Sequence, residues 1–192
     1  MEMQISIYWD IENCCIPKGK DGNVILNRII TCICEGFNFI GNINVVIQNK
    51  NHKRVLHLRS NEKVRFIFPD NEKQNISDQK IEKLMLSDSD NFQTFVLISG
   101  DKDFTVLLFE LRYMKRVPTI LIHRSDVDQE LTFFPNVLFI YEDFIKDLPD
   151  LVVVPELTSA EESEISTEVA LTISIICLKD KMFLFGFEVG LK

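Results

Sequence analysis

The sequence predicts an α/β domain: a doubly wound, mostly parallel sheet with helices on both faces. Short runs rich in Ile, Val and Phe recur along the first 150 residues, separated by segments with helical spacing of their apolar positions. Several runs are apolar almost throughout, as strands covered on both faces should be. Right-handed crossovers then restrict the topology to a few orders, of which 3-2-1-4-5 sets strands one and four side by side.

The first strand is Ile5–Trp9, and further strands are expected at Asn44–Gln48, Val64–Phe68, Phe95–Ser99 and Thr119–His123, with a sixth at Leu138–Tyr141. Helices are expected at 23–36, 51–60, 76–87, 104–116 and 127–133. In "FTVLLFELRYMKR", Phe104, Leu107, Leu108 and Leu111 share one stripe, and Arg112, Lys115 and Arg116 close the last turn favourably for the helix dipole. "NISDQKIEKLML" offers Asn75 or Ser77 as N-cap and keeps Ile81, Leu84 and Met85 on one face. Trp9, inside a strand, reads as core, and Phe133 and Phe134 read as structural.

The chain of 192 residues carries a net charge of −8, which argues against nucleic-acid binding through bulk charge alone. Residues 155–192 hold seven acids against three bases, so half of that charge belongs to the tail. The sequence divides into a domain over 1–150, an acidic linker over 151–168 and an apolar segment over 169–192. The last segment reads as a β-hairpin or the stub of a longer domain. Its two apolar runs are too short to span a bilayer and are split by Lys179-Asp180-Lys181, so no membrane association is expected. Five cysteines, an odd count without C-x-x-C, and no secretory h-region after Met1 fit a reducing, cytoplasmic setting. His52, His57 and His123 do not supply zinc-ligand spacing, and the first two read as solvated.

Carboxylates stand at the ends of strands one and four. Asp10 closes "IYWD", and Asp101 and Asp103 follow strand four in "LISGDKDF", where Gly100 offers freedom to turn out of the strand. Asp78, in the first turn of the 76–87 helix, can join them in one acidic bowl at the topological switch point. Such a cluster is unstable alone, because burial and like charge both raise carboxyl pKa values. Oxygen-only ligands suit Mg2+ or Mn2+, and the matching chemistry is phosphodiester hydrolysis. Any single one of these aspartates also reads as a turn residue or helix N-cap, Asp103 above all.

"IYWDIENCCIP" and "LISGDKDF" resemble the two signature stretches of the NYN domain family, a branch of the PIN-like ribonucleases. With "NISDQK" and "YEDFIKDLP", the resemblance covers roughly residues 3–149 and is closest to the limkain-type (meiosis regulator and mRNA stability factor) NYN domain. It implies a PIN-like fold and a metal-dependent endoribonuclease that cleaves single-stranded RNA in mRNA turnover, with protein partners in RNA regulation. It carries catalytic and metal-ligand roles to Asp10, Asp78, Asp101 and Asp103, with Asn13 and Ser99 as supporting polar residues. Gln79 stands where the family often has a further acid.

An RNA strand also needs cations. "KNHKRVLHLRSNEKVR" over 50–65 holds six bases against Glu62 alone. Lys18, Lys20, Lys50, Lys53, Arg54 and Lys102 are the expected RNA-binding residues, and a solvated helix face is the plainer reading of the 50–65 run. The alternative function is a catalytically weak or inactive RNA-binding or scaffold module on the same fold. No G-x-G-x-x-G or Walker loop is present, which argues against dinucleotide and ATP sites.

Overall fold

The computed structural model describes residues 2–34, 38–47, 53–68 and 76–149. Seven strands form one sheet: β1 (Glu2–Asp10), β2 (Asn38–Ile40), β3 (Ile43–Val46), β4 (Val64–Ile67), β5 (Thr94–Ile98), β6 (Thr119–His123) and β7 (Val137–Ile140). Six of them follow the order β4-β3-β1-β5-β6-β7, and every pairing is parallel. The expected strand order is therefore observed, with the sixth strand at the edge beside the fifth.

The short β2 was not expected from the sequence. It pairs with the start of β1, Glu2–Gln4 against Asn38–Ile40, before the chain passes Gly41 into β3. A Cβ at Gly41 would fall 1.5 Å from the Ile5 carbonyl oxygen, so only glycine lets the backbone pass so close to β1.

Side chains alternate across the sheet and divide the core into two. Ile5, Ile7 and Trp9 of β1 pack with Val96 and Ile98 of β5 against Ile25, Leu26 and Ile29 of α1 (Gly22–Cys34). Tyr8 points the other way, with Phe95 and Leu97, toward Ile81 and Met85 of α2 (Ile76–Asp88) and Leu107 and Leu108 of α3 (Thr105–Phe109). A last short helix, α4 (Tyr141–Ile145), places Tyr141 and Phe144 in the α1-side core. Trp9 is fully buried, as expected, and its indole N–H donates to the Cys14 carbonyl at 2.8 Å.

Three expected helices take other forms. The 51–60 segment is a 3-10 helix over Lys53–Ser60, and its buried residues Val55 and Leu58 are three apart, the 3-10 repeat. The 127–133 segment shrinks to one 3-10 turn, Gln129–Thr132, because Leu131 alone of its residues is buried and Phe133 faces solvent. The 104–116 helix begins as a 3-10 turn (Lys102–Phe104), passes through α3 and widens into a π-helix over Glu110–Lys115. It ends at Arg116, whose φ of 57° closes it in the left-handed region.

The chain divides into two units, residues 1–151 and 152–192. The expectations for the linker at 151–168 and the apolar segment at 169–192 lie outside the described residues. Among the described residues, no helix is long and apolar enough to cross a membrane.

Candidate metal centre

The register of the central strands brings the first acid to its neighbours. Trp9 pairs with Ile98, so the next residues along, Asp10 and Ser99, leave adjacent strands together. Asp10 shares the parity of Tyr8 and Ser99 that of Leu97, which turns both toward the α2 and α3 side. Asp10 is only 3% exposed, and its carboxylate accepts from the Ser99 hydroxyl at 2.9 Å and from the Asn13 backbone N–H at 3.4 Å.

The same two residues tie the strand ends together. The Ser99 oxygen accepts from the Asp101 N–H at 3.1 Å, and the Asn13 side-chain oxygen accepts from the Gly100 N–H at 3.2 Å. Gly100 is not among the described residues with positive φ, so conformational freedom is not what it contributes. It contributes room, since a Cβ there would sit 3.1 Å from the Asn13 oxygen. Asp101 then accepts from the Asp103 N–H at 3.0 Å, capping the turn that leads into α3.

Asp78 arrives from the first turn of α2. Ser77 lies inside that turn rather than capping it, and the other expected cap, Asn75, lies outside the described residues. Asp78, Asp101 and Asp103 each offer a carboxylate oxygen within 4.8 Å of the others'. Asp10 stands behind this trio, close enough for its charge and that of Asp78 to repel. Burial, chiefly, and then Asp78 push Asp10 up to about 6, against the opposing hydrogen bonds from Ser99 and Asn13. Burial, then Asp101, Asp103 and Glu12, push Asp78 up to about 6. Three of the four predicted acids, Asp78, Asp101 and Asp103, thus come together, and Asp10 lies near enough to interact with Asp78 at the carboxyl end of the sheet.

The NYN domain family model matches residues 4–139. The chain belongs to the NYN domain family.

Two curated proteins similar to it are the meiosis regulator and mRNA stability factor 1 of Xenopus tropicalis, 30% identical over 148 residues, and that of Bos taurus, 29% identical over the same length. The match covers 76% of this chain and 9% and 8% of those proteins, so the chain spans less than a tenth of either. A solved structure from Vibrio parahaemolyticus, titled a protein of unknown function, aligns with a TM-score of 0.60 at 14% identity. That alignment covers 74% of this chain and 95% of the other, a likeness of fold.

The surroundings of the acids in this NYN domain are mixed. Lys102, between Asp101 and Asp103, is exposed, as is Lys18. Lys20 is half-buried and donates to the Leu148 carbonyl. Lys50 lies outside the described residues, and so do the side chains of Lys53 and Arg54. Gln79, beside Asp78, is exposed. Sequence reasoning passed over Glu12, whose charge bears on Asp78. Its signal was its place two residues after Asp10, on the loop that leaves the same strand.

Proposed function

We propose that this NYN domain is a metal-dependent endoribonuclease acting on single-stranded RNA, with Asp10, Asp78, Asp101 and Asp103 holding Mg2+ or Mn2+. The observation that carries it is three carboxylates within 4.8 Å of one another, with buried Asp10 near enough for its charge and that of Asp78 to repel. Two of the four are pushed up to about 6, the electrostatic state that a hard cation relieves. The oxygen-only donor set fits such an ion. When bound, it supplies polarisation of the phosphoryl group, a more acidic water and stabilisation of the leaving oxygen.

The chain's own residues do the rest. Ser99 and Asn13 fix the Asp10 carboxylate by hydrogen bonds to its two oxygens. Lys102 and Lys18 offer exposed ammonium groups to the phosphate backbone, while Asp103 keeps the outer edge of the cluster open to solvent. Its similarity to meiosis regulator and mRNA stability factor 1 supports a role in mRNA stability, and so a cytoplasmic site of action and protein partners in RNA regulation.

The test is cleavage of an unstructured oligoribonucleotide by the purified chain with Mn2+. Turnover is expected, and Asp10→Asn and Asp101→Asn are expected to abolish it while remaining folded. Equal cleavage by both variants overturns the reading. The exposed Gln79 beside Asp78 favours a second reading, an RNA-binding module without turnover. Calorimetric titration with Mn2+ separates the two, because an inactive cluster takes up the ion weakly or not at all.

A further inference from the structure

We propose that the outer face of α3 and the π-helix after it is a base-stacking platform for single-stranded RNA, continuous with the acidic site. The choice of RNA as its ligand rests on the ribonuclease reading above. Phe109, Tyr113 and Phe134 form a cluster of touching rings, with centroids 5.1 Å apart for the first two and 5.4 and 6.3 Å from each to Phe134. Phe109 is 44% exposed and Tyr113 54%, while Phe133, next to the cluster in sequence, is 65% exposed. Val106 and Met114 on the same helical segment are also exposed. So much apolar surface in one stretch marks a contact surface rather than a core.

The platform is held in place rather than left to its own mobility. Arg112 donates to the carbonyls of Phe134 and Pro135 at 2.8 and 3.3 Å, clamping the 133–135 loop to the helix. Its guanidinium also lies 5.5 Å from the Tyr113 ring centroid, adding a cation to the aromatic surface. The π-helix that carries Arg112 and Tyr113 is a rare form, frequent at functional sites.

Charge decides between RNA and an apolar protein partner. Residues 105–118 hold Arg112, Lys115 and Arg116 against Glu110 alone, in a chain whose net charge is −8. The 129–132 turn with Asp128 and Glu130 packs both on the 102–104 turn beside the carboxylates and on α3, so the bases stand toward the far, C-terminal end of the helical segment. The surface therefore runs from the acidic site, past exposed Lys102, across the exposed and mutually tilted rings of Phe109 and Tyr113, to a cationic end. Flat rings with cations beside them are what single strands recognise without base preference. Phe109 lies roughly 9 Å of helical rise beyond Asp103, so one short oligonucleotide can reach both.

The test uses the whole 192-residue chain and a fluorescein-labelled 15-nucleotide uridine oligomer, followed by anisotropy in EDTA so that no cleavage occurs. The Phe109→Ala/Tyr113→Ala double variant is expected to bind at least about fivefold more weakly, the lower end of one lost stacking contact. Phe109→Tyr/Tyr113→Phe is expected to retain wild-type affinity. Photocrosslinking with 4-thiouridine is expected to mark residues 105–116. Unchanged affinity in the double alanine variant with its melting temperature preserved overturns the platform, whatever happens to cleavage. So does a wild-type dimer that the same variant disperses without loss of RNA binding, which would assign the surface to a second copy. A wild-type chain that binds no oligomer overturns it as well. If the platform variants lose affinity but wild-type protein with Mn2+ never cleaves, the platform stands and the nuclease reading alone fails.

Discussion

Asp10 and Asp101 stand at the same end of adjacent strands and share Ser99 as a hydrogen-bond partner, yet their surroundings differ. Asp10 is almost sealed, and its two oxygens accept from a serine hydroxyl and a backbone N–H. Asp101 is half open and commits one oxygen to the Asp103 N–H in the turn that leads into α3. Burial makes the charge of Asp10 costly, whereas Asp101 is stabilised by local backbone geometry that needs no ion. The difference teaches that one site combines a strained acid, whose charge a cation would relieve, with a comfortable one that shapes the rim.

The largest expected effect treats the two alike. Asp10→Asn and Asp101→Asn should each lower Mn2+-dependent cleavage of an unstructured oligoribonucleotide by more than about 100-fold, beyond what loss of an outer partner costs. Their metal-free stabilities should then separate them. Asp10 has a folded pKa of about 6 against an unfolded value of 3.8, so the folded state holds the extra proton between those limits. The stability it contributes is complete below the unfolded value and is lost as pH rises through about 6. At pH 7.5 Asp10→Asn removes a penalty of at most about 3 kcal/mol, because its amide oxygen can still accept from Ser99. Asp101→Asn should leave the melting temperature near that of the wild type, since asparagine caps as well as aspartate. Scanning calorimetry without metal at pH 5 and 7.5 checks both; equal shifts for the two variants would erase the contrast. Added Mn2+ should stabilise the wild type more at pH 7.5 than at pH 5, because ligands must lose their protons first.

Why these two acids were legible in the sequence, and other parts were not, is physical. Apolar runs that stop at a charge mark strand ends, and crossover handedness then makes strands one and four neighbours. Asp78 was legible as a first-turn acid on a helix with a clear apolar stripe. β2 was not: three residues carry too little pattern, and its placement depends on Gly41 meeting a distant carbonyl. The switch from α to π after Phe109 was equally hidden, because the apolar stripe of 104–116 fits an α-helix and no local residue announces the wider turn. Phe133 and Phe134 are both expected to be structural, but Phe134 alone turns onto the helix while Phe133 faces solvent. Glu12 escaped because its effect on Asp78 is exerted through space, not along the chain.

A smaller expected effect sharpens the contrast through Ser99, which donates to Asp10 and accepts from the Asp101 N–H. Ser99→Ala deletes the hydrogen bond that holds Asp10 down, so the carboxyl should rise further above its ordinary range. Mn2+ affinity should fall about 10- to 100-fold, the usual cost of losing a partner of a ligand. The loss should be greatest at pH 6 and shrink toward pH 8, where Asp10 is ionised in both proteins. Titration calorimetry at three pH values reads this, and a loss of equal size at every pH would mean that Ser99 acts only by packing.

The smallest effect belongs to the rim and concerns the fold rather than the ion. Asp101→Ala removes the side chain that accepts from the Asp103 N–H and should cost about 1 kcal/mol in metal-free urea unfolding. Asp101→Asn should cost little in the same experiment, since its oxygen keeps the bond. Because both variants lose the carboxylate, the difference between them measures the cap alone. If alanine and asparagine unfold at the same urea concentration, the turn is held without its cap, and the placement of Asp103 must come from the packing of Phe104 beneath it.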